Sequence, residues 1–341
     1  KFISNGFHIQ AYHFYCWTTG VVAIDLTGTD SVNVSSQFRL YPSTNTTLTW
    51  DTPHIIWEST DHQYLFAGTN NSFDTLEFRS NNTGDRLIQI QYSTTVKNVK
   101  VHAKGEQRMN LLNGSTYGKF VWEYEKSTIN TPDLYMQGGN TFQDTFSIRS
   151  SGTMRPKLRT HGNNTFGVFD IGDRVKEWEI QAGTVQTSSE ITPLTGTCER
   201  TILITSNSLG SVGKISQASG TVSGDYLQLQ DNDVSGGATF NAINTADLGN
   251  VSGWNITAIP GQDFYWIGEN GNWSDPNNWS LSSGGVPYCA IPSRIDNVIF
   301  DANSFSASNQ FASVDVPAEC NDMNWNGIVA GAGLSNNQLL E

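Results

Sequence analysis

Two carboxylates one residue apart, Asp231 and Asp233, are the pair in this 341-residue chain best suited to general acid–base work. Glycoside hydrolysis needs two carboxylates at a set separation across a cleft. The same short run suits calcium, which gathers several oxygen ligands. It also suits a plain corner in which Asx side chains cap a turn, and the corner is the expectation. A second oxygen-rich set, Glu269, Asn272, Asp275 and Asn278, lies around Trp273. It matches neither the EF-hand spacing nor a Gly-rich calcium repeat, so capping of a loop is expected ahead of bound calcium. The histidines His8, His13, His54, His62, His102 and His161 are scattered without H-E-x-x-H or H-x-H spacing. Asp61 and His62 are adjacent, but no serine sits in a G-x-S-x-G elbow to use them. No residue is therefore assigned to catalysis, and calcium is the one cofactor retained as a candidate.

Composition narrows the partners. The net charge is −13 and only 15% of residues are charged, so nucleic acid, which demands a basic surface, is disfavoured. The one basic cluster, Arg155, Lys157 and Arg159 with His161, reads as solvated charge on an edge strand. No apolar run reaches the length of a membrane span. The chain begins at Lys1 without a signal-like segment, which reads as a mature segment or a slice of a longer protein. Polar surface supplied by Ser, Thr, Asn and Gln, with an even count of four cysteines, points outside the cell. Cys289 with Cys320 is the preferred disulfide because both flank one C-terminal segment; Cys16 with Cys198 is the leftover pair, and free thiols are an equal alternative.

The elements that must position these groups are strands. Short apolar–polar alternations recur at Phe7–Tyr12, Thr75–Phe78, Leu87–Tyr92, Val99–Ala103, Lys119–Tyr124, Phe146–Arg149, Trp178–Gln181, Thr201–Thr205 and Tyr226–Gln230. Helical periodicity is nearly absent. Two-residue Asn-Gly turns are rare between them, and the connectors are Ser/Thr/Asn-rich, as at Ser80–Asp85 and Thr160–Thr165. Stacked Asn and Thr fit the corners of a solenoid. The fold class is therefore all-β: a right-handed parallel β-helix followed by the opening β/loop cap of a next module. Ser35–Trp50 reads as a protruding loop, and Gly236–Trp254 as a Gly-rich cover over the end of the solenoid. Residues 1–259 form the first module, its start truncated, and 260–341 a Trp-rich junction. Trp254, Trp266, Trp273 and Trp279, set among turn formers, are its expected structural residues.

Two stretches carry a resemblance. QASGTVSGDYLQLQDNDVSGGATFNAINTADLGNVSGW, from Gln217, is similar to a segment that ends β-helical modules in very large surface proteins of the Bacteroidota. WIGENGNWSDPNNWS with GGVP, then Pro292, Asp296–Val298 and Phe300–Phe305, is similar to the segment that opens the next module, with Pro260 and Gly261 as the joint. The last third of the chain thus resembles repetitive, SprB-like gliding-motility adhesins exported by the type IX secretion system; no sorting domain of that system is present in these residues. The resemblance implies a non-enzymatic extracellular filament module at the cell surface. Its partners would be neighbouring modules, an external surface or polysaccharide, and the gliding or secretion machinery through the parent chain. A polysaccharide-binding or polysaccharide-cleaving β-helix is the alternative, whose signature would be a carboxylate pair or an aromatic strip on one sheet face. Ser31 and Thr75 also match a short O-glycosylation pattern resembling the one used in that phylum.

Overall fold

The computed structural model describes residues 2–16, 22–40, 46–51, 54–59, 62–66, 72–80, 86–91, 93–103, 107–125, 133–150 and 155–336. They are almost entirely strand, with one 3-10 turn at Pro276–Asn278. The chain divides into two compact units, Lys1–Thr257 and Ala258–Glu341, so that Pro260 and Gly261 lie just inside the second.

The first unit is the expected parallel β-helix. Strand Val32–Leu40 pairs with two strands of the next turn, His54–Ser59 and Gln63–Phe66. From there two parallel ladders climb together. The long ladder runs from His54–Ser59 through Ser72–Ser80, Thr95–Ala103, Thr116–Tyr124, Thr141–Ser150, Thr165–Asp170, Val185–Ile191, Gly213–Gln217 and Asn232–Gly236 to Val251–Ser252. The narrow ladder runs from Gln63–Phe66 through Arg86–Gln91, Gln107–Leu111, Asp133–Met136, Lys157–Thr160, Glu177–Ile180, Ile202–Ser206 and Leu227–Leu229 to Ala246–Asp247. From Leu194 onward a third ladder is added, Leu194–Thr195, Thr221–Asp225, Thr239–Ile243 and Trp254–Thr257.

Alternation decides which residues face inward. Like residues then stack from turn to turn. Tyr117, Phe142 and Phe166 form one column, with centroids 5.1 Å apart at each step. Phe120, Phe146 and Phe169 form a second, at 5.4 and 5.6 Å, ending against Trp178 at 4.6 Å. All seven are buried, and each such side chain contributes roughly 1.5–3 kcal/mol of transfer free energy.

The corner beside the Tyr117 column is polar yet buried, and it is satisfied by stacking. Ser115 N–H donates to Asn140 Oδ1 at 3.0 Å, and Asn140 N–H donates to Asn164 Oδ1 at 2.7 Å. Asn164 Nδ2 donates to Gln186 Oε1 at 2.9 Å, and Gln186 Nε2 to the Gly162 carbonyl at 2.9 Å. These partners lie 25, 24, 22 and 24 residues apart, one turn each. This is the Asn ladder that connector composition led us to expect.

Two expectations change. The Ser35–Trp50 stretch is not simply a protruding loop: 35–40 belong to strand Val32–Leu40, with Ser36, Phe38 and Leu40 buried, and 46–49 are strand Thr46–Thr49. Its central residues, 41–45, lie outside the described set. Gly236–Trp254 is not an irregular cover either. It forms the short strands Thr239–Ile243, Ala246–Asp247 and Val251–Ser252, in register with the turn before. Its glycines permit close backbone approach: Gly236, at φ +96°, lies so near the Gln217 carbonyl that a Cβ would overlap it.

The second unit is a smaller parallel arrangement. Strand Asp263–Trp266 pairs in parallel with Asn297–Phe300, which pairs with Asp322–Trp325. A second ladder joins Gly271–Asn272, Phe311–Val314 and Gly333–Asn336. Trp279–Ser280 closes the outer edge of Asp263–Trp266 in the antiparallel sense. The core is Trp266, Trp273 and Trp279 with Phe264, Phe300 and Phe305.

Candidate functional site

The first unit's long ladder carries an outward column of ionisable groups, one per turn: Glu58, Arg79, His102, Glu123 and Arg149. Each occupies an outward position because its strand neighbours Trp57, Phe78, Val101, Trp122 and Ile148 face the core. Glu77, two positions before Arg79 on the same strand, joins them. Arg79 Nε donates to Glu77 Oε1 at 2.8 Å, and His102 Nδ1 lies 2.9 Å from Glu123 Oε2. His102 Nε2 and His54 Nε2 approach the Glu77 carboxylate at 3.7 and 3.6 Å. A groove of about 380 Å³ opens here, lined by Glu58, Glu77, Arg79, His102, Glu123 and Glu125.

Burial alone would raise the Glu77 carboxyl, but the Arg79 bond and charge, with His102 and His54, outweigh it and hold it below the ordinary glutamate range. Glu77 is thus an ionised acceptor at neutral pH. Acid catalysis of glycoside cleavage calls instead for a carboxyl raised until it keeps its proton.

The narrow ladder carries a second network. Lys157 Nζ bridges Glu177 and Glu179 at 2.7 Å each, His161 Nε2 lies 3.2 Å from Glu179, and Arg159 Nη2 reaches Asp133 Oδ2 at 2.9 Å. Here Glu179 is held low: burial opposes, but the bonds from Lys157 and His161 and the charges of Lys157 and Arg159 prevail. Asp133 goes the other way, raised chiefly by burial against the pull of Arg159.

The basic cluster is therefore not solvated edge charge. Strand Lys157–Thr160 is paired on both sides, and its acids come from neighbouring turns that linear sequence does not reveal. Arg155 is buried, its guanidinium donating to the Val175 and Thr201 carbonyls, and burial first, then Arg200, pulls it down to about 10.

These shifts set an acid-stability prediction. Glu77 and Glu179 have folded values below their unfolded ones. Their stabilisation is present above the ordinary glutamate range near 4.3 and is lost as pH falls through the folded values. Asp133, raised, opposes this, since its contribution falls as pH rises. Asp74 and Asp315 are lowered as well, so four lowered carboxyls stand against one raised, and urea midpoints should be level from about pH 5 to 7 and decline below about pH 4. Glu77→Gln should flatten that decline; an unchanged pH profile would refute the assignment.

Asp231, at φ +49°, is buried and accepts from Gly210 N–H at 3.0 Å and Asn250 Nδ2 at 2.6 Å. Asp233 accepts from Ser252 Oγ and faces Lys214 Nζ at 3.5 Å. Asp231 sits just before strand Asn232–Gly236, and Asp233 lies on that strand. Asp275 caps the 3-10 turn by accepting from Asn277 N–H at 2.9 Å, and Asn278 Nδ2 donates to the Asn272 carbonyl at 2.9 Å. The Glu269 carboxylate accepts from Gln310 Nε2 at 3.2 Å. Among the described residues, no group of three or more His, Cys, Asp or Glu is arranged to hold a metal ion.

Trp254 does not join the other three tryptophans. It belongs to the first unit's core, with its Nε1 donating to Asn232 Oδ1 at 2.9 Å, whereas Trp266, Trp273 and Trp279 are fully buried in the second unit's core. The preferred Cys289–Cys320 disulfide is not formed. Cys198 and Cys289 are each in the oxidised, disulfide form, while Cys320 and Cys16 are free thiols. Proximity in sequence was a poor guide, because a disulfide requires Cα atoms within about 7 Å, and Cys320 packs instead against the tryptophan core. The Ser31 hydroxyl lies 3.5 Å from Asn33 Oδ1 and the Thr75 hydroxyl donates to Asp74 at 3.0 Å, both half-buried. Of the pair Asp61–His62, Asp61 lies outside the described residues.

Protein families, curated proteins and solved structures give no match to this chain. The outward ionisable column therefore stands on its geometry alone. Sequence reasoning passed over it because Glu58, Arg79, His102 and Glu123 share no local motif. The usable signal was their recurrence at one-turn spacing, which needs the strand register to be known first. No helix among the described residues is long and apolar enough to cross a membrane.

Proposed function

We propose that the chain is a non-catalytic, load-bearing and adhesive module of a large extracellular surface protein, of the repetitive gliding-adhesin kind that its Gly236–Trp254 and Asp263–Phe305 stretches resemble. The observation that carries this reading is the pair of parallel ladders, from His54–Ser59 to Val251–Ser252 and from Gln63–Phe66 to Ala246–Asp247, each strand paired with the turn before it. Such ladders resist extension because many backbone bonds act together between successive turns. The oxidised Cys198 and Cys289 support an oxidising compartment. Neighbouring modules, an external surface and the gliding or secretion machinery are the partners in this reading.

Pulling single molecules by their ends tests it: extension in a few abrupt high-force steps is expected, and smooth lengthening at low force would overturn it. The groove beside Glu77 and Glu123 favours one second reading, a polysaccharide-cleaving β-helix. Turnover of a polysaccharide into new reducing or unsaturated ends, abolished by Glu123→Gln, would establish that reading in place of the first.

A further inference from the structure

The exterior of the narrow ladder's first turns is of different chemistry from the rest of this acidic chain. One outward column reads, turn by turn, His13, Gln37, Tyr64, Gln89, Asn110 and Tyr135. The adjacent column reads Tyr15, Arg39, Phe66 and Gln91. Aromatic rings and carboxamides dominate, and over these turns neither column contains an acid; beyond Tyr135 the first column passes into Arg159 and Glu179. The aromatic side chains are pre-set: the rings of His13 and Tyr15 stack at 5.0 Å and those of Tyr64 and Phe66 at 5.6 Å, while Tyr15 Oη donates to Gln37 Oε1 at 2.8 Å.

Arg39 is the unusual member. Its guanidinium carbon sits 4.1 Å from the Phe66 ring centroid and 5.6 Å from that of Tyr15. Its Nε is buried and has no hydrogen-bond partner. A chain of net charge −13 has acids in plenty, yet neither column places one over these turns. A guanidinium fixed between two rings, with its Nε donor unspent, is complementary to a planar carboxylate.

We infer that this strip binds an extended polysaccharide lying across the turns, with a carboxylate-bearing sugar at Arg39. The flat C–H face of a pyranose stacks on rings that have an apolar body and a polar tip, and its hydroxyls meet the Gln and Asn amides, which donate and accept. Successive strands lie about 4.8 Å apart, so Tyr64 and Tyr135, three turns apart, are spaced by roughly 14 Å, the reach of a few sugar units. The net negative charge does not forbid an acidic ligand. At physiological salt, exposed charges beyond about 8 Å are largely screened. The inference goes beyond the load-bearing role: a strip that binds nothing would leave the mechanical result untouched.

Affinity electrophoresis of the full chain through gels containing polygalacturonate, or a neutral β-glucan, tests the inference. Retardation by polygalacturonate is expected, weakened at least tenfold by Arg39→Gln and by Tyr64→Ala, and unaffected by Thr187→Ala outside the strip. Gln89→Ala, a milder surface change, should weaken it severalfold, and urea midpoints equal to that of the native chain certify the fold of each variant. No retardation of the native chain, or equal retardation of folded Arg39→Gln, would overturn the inference. Equal binding of the neutral glucan would overturn the carboxylate assignment.

Discussion

Trp279→Ala should destabilise the second unit by about 3–5 kcal/mol, the usual range for deleting a fully buried tryptophan. Trp279 is the hub of that core. Its ring meets Trp273 at 4.7 Å and Trp266 at 5.0 Å edge to face, and contacts Phe264 and Phe300 at 6.2 and 6.3 Å. Its indole N–H donates to the Trp273 carbonyl at 2.9 Å. Removing it leaves a cavity among aromatic rings too large to close over, an unpaired carbonyl, and an antiparallel edge strand without its anchor. Urea unfolding followed by near-ultraviolet circular dichroism should show a separate, earlier transition for the second unit. A shift equivalent to less than about 1 kcal/mol would show that the remaining rings repack around the gap.

Asn164→Ala should be nearly as damaging in the first unit, although it removes no apolar surface. Asn164 accepts from both the backbone N–H and the Nδ2 of Asn140, and donates to Gln186 Oε1. Alanine strands three buried partners at once. Each unsatisfied group costs about 1–3 kcal/mol, and because the members share bonds, the loss is expected to approach 4 kcal/mol rather than that of one bond. Hydrogen exchange at Asn140 N–H gives the local readout: exchange accelerated by less than about tenfold would show that water has replaced the missing amide.

The solenoid was legible because its code is local. Period-two alternation at Lys119–Tyr124 or Leu87–Tyr92 states which side chains face inward, and Asn-rich connectors state that corners repeat. The strands missed, such as Gln63–Phe66 and Asp133–Met136, are four residues long, too short for alternation to stand out. Ser35–Trp50 misled for a related reason: the polar run after Pro42 masked the alternation of Ser36, Phe38 and Leu40. The surface was barely legible. Glu77 meets His102, and Arg39 meets Phe66, only after a full turn, and turns differ in length. Without the register, neither the ionisable column nor the aromatic strip exists as a pattern. Cys320 was misassigned for the same reason, since nearness along the chain says nothing of its place against the tryptophan core.

The short reach of the ladders bears on how such a chain comes into being. Backbone pairing runs from each turn to the turn beside it, and no strand of the long ladder awaits a partner from the far end of the unit. A chain delivered in order can therefore lay each new strand on the last as soon as one further turn has emerged. Growth would resemble a crystal adding rows more than a globule collapsing. Until the final row is placed, the advancing face offers an open line of backbone donors and acceptors, so the unit is most vulnerable to a wrong partner while it is still being built.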